Sequence, residues 1–375
     1  MSIVTTPRAF RHQMVILGII LVSWSLLVWQ LGRRSLWVDE FLSLEMSRGG
    51  LHDVIAASTA DLHPPLYFLA LRAWTALAGT SDFAVRWLST AAGIVGVALT
   101  VVVTRRLTGR RAAAAATWLL GLAPAFVEFS RMARYYSLVL MLGLLSTWLL
   151  LDAMERNDPK RWSAYALTGL AMLYTFYPSG VLLVAHVLMI VLPVRRRASI
   201  RNWLIAAGAI GIGFAPWLGA IASGQITVIA GSTGADLARS GLGFALGVAA
   251  SLYTFSVGET IFPWHPAAWL GMAIVVLLVI AGLRQRAERG RWPSAGVALL
   301  SIGFISATTT FVSVGTPFLN APVRALFALP FYLLVAAIGV SRVGSARLRS
   351  GLAGALLAVW GIGIVNYFTG QQPLN

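Results

Sequence analysis

Apolar runs of roughly 15 to 21 residues, separated by short polar connections, recur along almost the whole chain. In a bilayer, helices satisfy every backbone group internally, and each crossing needs about 20 residues. The pattern therefore predicts an all-α, polytopic membrane protein with spans near 14–31, 84–104, 112–127, 134–152, 162–176, 179–193, 202–221, 266–283, 294–314, 323–341 and 348–366. Two further apolar stretches, LYFLALRAWTALAG at 66–79 and GLGFALGVAASLYTFSV at 241–257, are shorter, and Arg72 interrupts the first. Both are expected to lie along the interface. No polar stretch is long enough for a second domain, so residues 1–375 read as one membrane domain with 11 transmembrane helices plus interfacial helices.

Composition sharpens this. The chain is 58% hydrophobic and 11% charged, against about 25% charged in soluble domains, and its mean hydropathy is +0.78. A formal net charge of +16 would point to nucleic acid in a soluble chain; here its location matters more, and no nucleic-acid partner is expected. RRLTGRR (105–111), ERNDPKR (155–161), RRRASIR (195–201), RQRAERGR (284–291) and SRVGSARLR (341–349) carry most of the 29 Lys and Arg. All five fall on the cytoplasmic, N-terminal side when 66–79 and 241–257 do not cross. Arg8 and Arg11 precede the first run, which reads as a retained helix rather than a cleaved signal. Cysteine is absent, which excludes thiolate chemistry. No P-loop, dinucleotide fingerprint, HExxH or internal repeat is present.

The same topology puts most of the acids and histidines outside. The external loop 32–83 is long for a membrane protein with otherwise short connections, and loops of that length usually act. Within LWVDEFLS (36–43), Asp39 and Glu40 sit among apolar neighbours at the membrane boundary, where a carboxylate can serve as a general base; a solvated pair, with Asp39 capping a short surface helix, is the alternative. His63 precedes Pro64 and Pro65, a rigid entry to a helix whose first free N–H groups suit an anion. His63 would then donate to that anion or join a carboxylate around a metal; an interfacial histidine is the plain alternative. In VEFSRMARYYSL (127–138), a helical reading places Glu128, Arg131 and Arg134 on one face, with two guanidinium forks suited to phosphate oxygens. Snorkelling arginines explain the same spacing. Glu259 and His265 in GETIFPWH (258–265) are further candidates.

Taken in order, WVDE (37–40), HPPLYF (63–68), FAVRWL (83–88) and RMARYYSL (131–138), with a weaker echo in PFLNAPVRALFALPF (317–331), resemble the integral-membrane GT-C glycosyltransferases. The likeness is to the lipid-phosphosugar-dependent group that includes protein O-mannosyltransferases and aminoarabinose transferases. It implies transfer of a hexosyl or pentosyl unit from a polyprenyl-phosphate donor on the non-cytoplasmic face, with inversion. By that resemblance Asp39 matches the catalytic acid and Glu40 its neighbour, which orients the acceptor or holds the loop. His63, Arg131, Arg134 and Arg324 would meet the donor phosphate, while Glu128, Glu259 and His265 form an additional candidate set. A divalent cation near Asp39, His63 or His265 is left open. Many relatives carry a soluble domain after the membrane core, whereas this sequence ends soon after its last apolar run. A lipid or glycan acceptor is therefore favoured over a protein. The arginine-rich, GC-type composition points to a bacterial inner (plasma) membrane. A transporter or flippase would need charges deep in its spans, and His186 is the clearest interior case; a non-catalytic scaffold would make Asp39 and Glu40 dispensable.

Overall fold

The computed structural model describes residues 7–61, 63–191, 197–230, 241–284 and 321–370. The described chain is helical throughout: α1 (Pro7–Val28), α2 (Val38–Met46), α3 (Leu51–Ala60), α4 (Leu66–Ala78), α5 (Asp82–Leu107), α6 (Arg110–Leu122), α7 (Pro124–Ser130), α8 (Tyr136–Arg156), α9 (Pro159–Thr175), α10 (Val181–Val191), α11 (Arg197–Ala230), α12 (Gly241–Val257), α13 (Pro266–Leu283), α14 (Leu329–Arg342) and α15 (Ala346–Thr369). Helices lie on every predicted span except 294–314, which falls outside the described residues. Among the described residues, five helices are long and apolar enough to cross a membrane, and the α6–α7 pair, bent by 57°, makes a sixth candidate. Apolar side chains such as Ile212 on α11, Leu277 on α13 and Val365 on α15 are exposed, as on a surface that meets lipid. The 13-residue α4 is about 20 Å long, well short of a hydrocarbon core of about 30 Å.

Local sequence explains the element ends that position the site. Ser81 caps α5 by accepting the Ala84 N–H at 3.2 Å, and Asp82 in the first turn with Arg105 and Arg106 in the last complement the helix dipole. Asn157 in the left-handed region (φ 51°) closes α8, and Asp158 followed by Pro159 opens α9. The span expected at 112–127 breaks at Ala123, because Pro124 has no N–H for the helix ladder and starts α7 instead. Gly258, at φ +85°, comes so close to this break that a Cβ there would stand 2.7 Å from the Pro124 Cβ. That contact fixes the 258–265 loop against α7.

Two polar clusters tie the spans together away from the outer loops. His186 on α10 is fully buried, with Nε2 at 3.1 Å from the Thr147 hydroxyl of α8 and Nδ1 at 3.1 Å from the Tyr165 phenol of α9. Trp203 of α11 donates to that phenol at 3.3 Å. The interior histidine thus joins four helices and lines no described cavity. At the side carrying the basic connections, buried Asp152 of α8 is ringed by Arg106 of α5 at 2.7 Å, Arg161 of α9 at 2.9 Å and Arg156 at 3.2 Å.

Removing one partner from a buried ion pair costs about 3–5 kcal/mol, and less where the surviving charges reach solvent. Arg156 and Arg161 do reach solvent, so Asp152→Ala is expected to lower stability by about 2 kcal/mol. Thermal unfolding in detergent measures this, and a shift within error of wild type would show that the cluster is dispensable.

Candidate active site

The loop 32–83 is not irregular; it folds into α2, α3 and α4 over the ends of the spans. Helix α2 starts at Val38, with Trp37 at the N-cap, so Asp39 lies inside the first turn and is not the cap that the alternative reading made it. The capping carboxylate is Glu40, whose Oε2 accepts the Trp37 N–H at 3.0 Å.

Glu40 is 3% exposed and fully engaged. Arg86 of α5 donates Nε to Oε1 at 2.8 Å and Nη2 to Oε2 at 2.7 Å, and the Ala133 N–H donates to Oε1 at 2.8 Å. With Trp37 these make four bonds, the capacity of a carboxylate. Arg86 is equally saturated: its remaining N–H groups go to the carbonyls of Leu31 (3.0 Å), Arg34 (2.6 Å) and Ser35 (2.9 Å). Of the two roles open to Glu40 from sequence, orienting the acceptor or holding the loop, this geometry supports the second, because no lone pair is left for a substrate.

Glu40 also accounts for a departure from the sequence reading. Residues 127–138 do not form one helix: α7 ends at Ser130 and α8 begins at Tyr136. In a continuous helix the Ala133 N–H would bond the Phe129 carbonyl; here Glu40 takes it. The Ser89 hydroxyl of α5 donates to the Arg134 carbonyl at 2.8 Å and itself meets the Tyr67 phenol of α4 at 2.9 Å, which holds the turn open. The supposed common face of Glu128, Arg131 and Arg134 is thereby split.

Arg134 stays with Asp39. Its Nη1 donates to the Asp39 carbonyl at 3.3 Å and lies 3.2 Å from the Ser43 hydroxyl, while its buried Nε has no partner among the described residues. Asp39 is half-buried beside it. His63 packs its ring 5.7 Å from that of Tyr135 and pairs through Nδ1 with Asp61 at 2.9 Å. That bond to His63 outweighs burial and, with the Arg134 charge, holds the Asp61 carboxyl below its usual value. The Arg324 charge also acts on Tyr135, whose phenol is buried, lacks a partner and is pushed up by burial, so it is a neutral donor. His63, Arg134 and Arg324 are thus gathered around Tyr135, and Asp39 joins them through Arg134. The sequence reading assigned no role to Tyr135, Asp61 or Arg86; RYYSL and FAVRWL contained two of them, with nothing in either motif to mark the side chain that mattered.

Arg131 goes elsewhere. Its Nη1 donates to the Leu26 and Leu27 carbonyls at 2.8 and 3.0 Å, closing the C-terminus of α1, its Nε meets the Tyr367 phenol at 3.3 Å, and the guanidinium lies 4.7 Å from the Phe368 ring centre. Together with Glu128 it lines a cavity of about 460 Å³ bounded by 30–38, Arg86, Met132 and the end of α15. Glu259 is the charged neighbour of Glu128, and His265 caps α13, accepting the Ala267 N–H at 3.1 Å, with its side chain exposed. Among the described residues no three His, Asp or Glu side chains group closely enough to hold a metal ion.

Two outcomes follow from this geometry. Glu40→Gln keeps the shape but leaves the buried Arg86 charge unpaired, so it should lose about 3 kcal/mol of stability; Arg86→Lys, with three donors for five acceptors, should fail in the same way. Equal melting temperatures for wild type and both variants would refute the framework role. Burial pushes the Glu259 carboxyl up to about 7, against the 3.3 Å bond from the Thr254 hydroxyl. A carboxyl raised by folding contributes stability that is complete below about 4.5 and is lost as pH rises to about 7. The melting temperature should fall across that window, and Glu259→Gln should flatten the fall.

No curated protein matches the chain in sequence. Residues 62–219 match the family described as dolichyl-phosphate-mannose-protein mannosyltransferase. The fold is similar to apo ArnT from Cupriavidus metallidurans over 97% of this chain and 76% of that one, with a TM-score of 0.60 and 14% identity. The structure of that protein bound to undecaprenyl phosphate gives a TM-score of 0.58 and 13% identity over 96% of this chain and 75% of that one. The apo oligosaccharyltransferase of Archaeoglobus fulgidus gives 0.59 and 12% identity over 95% of this chain but 56% of its own length. The chain shares the fold of these proteins, the GT-C fold.

Proposed function

We propose that this protein transfers a sugar from a polyprenyl-phosphate donor to a hydroxyl acceptor at the outer face of a bacterial plasma membrane, with inversion at the anomeric carbon. The observation that carries the reading is the cluster around Tyr135, where Arg134 links Asp39 to the ring that His63 and Arg324 also approach, while among the described residues the Arg134 Nε and the Tyr135 hydroxyl have no partner. Buried polar groups are nearly always satisfied, so two orphans beside one carboxylate leave room for ligand acceptors. The fold supports the donor class, since a protein of similar architecture was solved with undecaprenyl phosphate.

In this scheme Asp39 takes the proton of the acceptor hydroxyl as its oxygen bonds to the anomeric carbon. The bond from that carbon to the phosphate oxygen breaks, and the electron pair leaves with the lipid phosphate. Arg134, with Arg324, His63 and the Tyr135 hydroxyl, stabilises the charge that grows there. No step is routed through a metal. Glu40 positions Asp39 by holding α2. In this reading eleven spans cross, α4 and α12 lie on the interface and the cluster faces outward; residues 1–375 act as one domain, and a lipid or glycan acceptor fits better than a protein. Transport is less well supported, because His186 is bonded between helices and lines no described cavity.

Protein in lipid nanodiscs, supplied with a panel of polyprenyl-phosphate sugars and extracted membrane acceptors, should consume donor only when acceptor is present. Asp39→Asn should lower the rate at least about a hundredfold, roughly 2.7 kcal/mol of transition-state stabilisation, with an unchanged melting temperature. Arg134→Gln should raise KM and lower kcat. An active Asp39→Asn protein would remove Asp39 from the chemistry, and donor that is never consumed would remove the transferase reading itself.

A further inference from the structure

The 460 Å³ cavity is separated from the Tyr135 cluster by the Glu40–Arg86 pair, and Asp39, His63, Arg134 and Arg324 are not among its lining residues. Its size suits a small polar ligand or headgroup. Arg33, Arg34 and Arg131 supply three guanidiniums to its wall, while the charge of Arg86 is cancelled by Glu40. Arg34 uses Nη2 to close the end of α15 on the Tyr367 and Phe368 carbonyls (2.8 and 3.2 Å), and Arg131 closes α1; each keeps N–H groups that no described residue accepts. The Arg33 side chain bonds to nothing among the described residues. Forked donors of this kind match the oxygens of a phosphate.

Glu128 is the odd member of that wall. It stands among arginines, yet among the described residues it makes no ion pair and its side chain accepts no hydrogen bond, and its Oε2 is buried without a partner. Its charged neighbour is Glu259 rather than a guanidinium, so its carboxyl is left to hydrogen-bond a ligand hydroxyl or amine. At the rim, Trp37 is 51% exposed, the disposition of an aromatic side chain at headgroup depth.

We propose that this cavity is a second ligand site, separate from the transfer site, which binds a phosphate diester headgroup carrying a hydroxyl. Arg33, Arg34 and Arg131 take the phosphate and the Glu128 carboxyl accepts a hydrogen bond from the hydroxyl. The position of the rim points to a membrane lipid as the source, although a soluble phosphate ester presents the same groups.

Native mass spectrometry of the full chain in detergent tests this with three probes: dihexanoyl phosphatidylglycerol, dihexanoyl phosphatidylmethanol, which lacks the hydroxyl, and glycerol 3-phosphate. Phosphatidylglycerol should bind at least about fivefold tighter than phosphatidylmethanol. Arg33→Gln should weaken both lipids by a similar factor, Glu128→Gln should abolish the preference between them, and Arg48→Gln, on an exposed arginine outside the cavity, should change neither. Glycerol 3-phosphate binding as tightly as phosphatidylglycerol would support the site with a soluble source. Equal effects of Arg33→Gln and Arg48→Gln would reduce binding to general charge attraction and overturn the proposal, as would a preference that survives Glu128→Gln. Binding is read without any sugar transfer, so a protein that transfers but does not bind refutes this site alone, and one that binds but does not transfer refutes the transferase reading alone.

Discussion

The outer half of the described structure hangs on one ion pair. Arg86 has five N–H groups and Glu40 about four acceptor sites, and every one is used inside the protein. Two of the bonds join the charges; the others reach the Leu31, Arg34 and Ser35 carbonyls, the Trp37 N–H and the Ala133 N–H. A buried ion pair is weak evidence for stability in itself, because desolvation offsets much of the attraction. Its value here is geometric. It fixes the end of α1, the start of α2, the outer turn of α5 and the α7–α8 turn relative to one another, and a planar fork accepts no substitute geometry.

The division of roles between Asp39 and Glu40 follows from helix geometry. Neighbouring residues on a helix point about 100° apart and do not share a face. Once Glu40 is turned into the framework, Asp39 is carried to the adjacent side, half-buried, where its carbonyl and Ser43 receive Arg134. The sequence Asp-Glu in the first turn of a short helix thus supplies one carboxylate that is saturated and one that is not.

The helices were legible in the sequence because long apolar runs favour them in a bilayer, and helices lie on all the predicted segments within the described residues, five or six of them long and apolar enough to cross a membrane. The arginine-rich connections were legible for a similar reason. The 127–138 stretch was not. Its local pattern is helical, and the acceptor that breaks it, Glu40, lies 93 residues away. No periodicity in the sequence can register such a competitor. The same gap concealed Arg86, which in FAVRWL looks like an ordinary interfacial arginine, and Tyr135, whose importance comes from packing against His63 and Phe176 at ring distances of 5.7 and 4.8 Å. The histidine, the acids and the arginines were found by type; their partition into two groups was visible only in three dimensions.

That partition has an electrostatic consequence. Near a protein surface, with an effective dielectric constant of about 20, two unit charges 4 Å apart interact by about 4 kcal/mol, so an unpaired guanidinium between the two groups would act strongly on both. Arg86 stands there, but Glu40 neutralises it at 2.7 Å. The wall is therefore electrically quiet, and Asp39 is one of the charges that act on Arg134. Arg131 and Arg134, three residues apart, serve different surroundings because a neutral pair lies between them. The spacing that suggested one phosphate site in the sequence is, in the folded chain, what allows two.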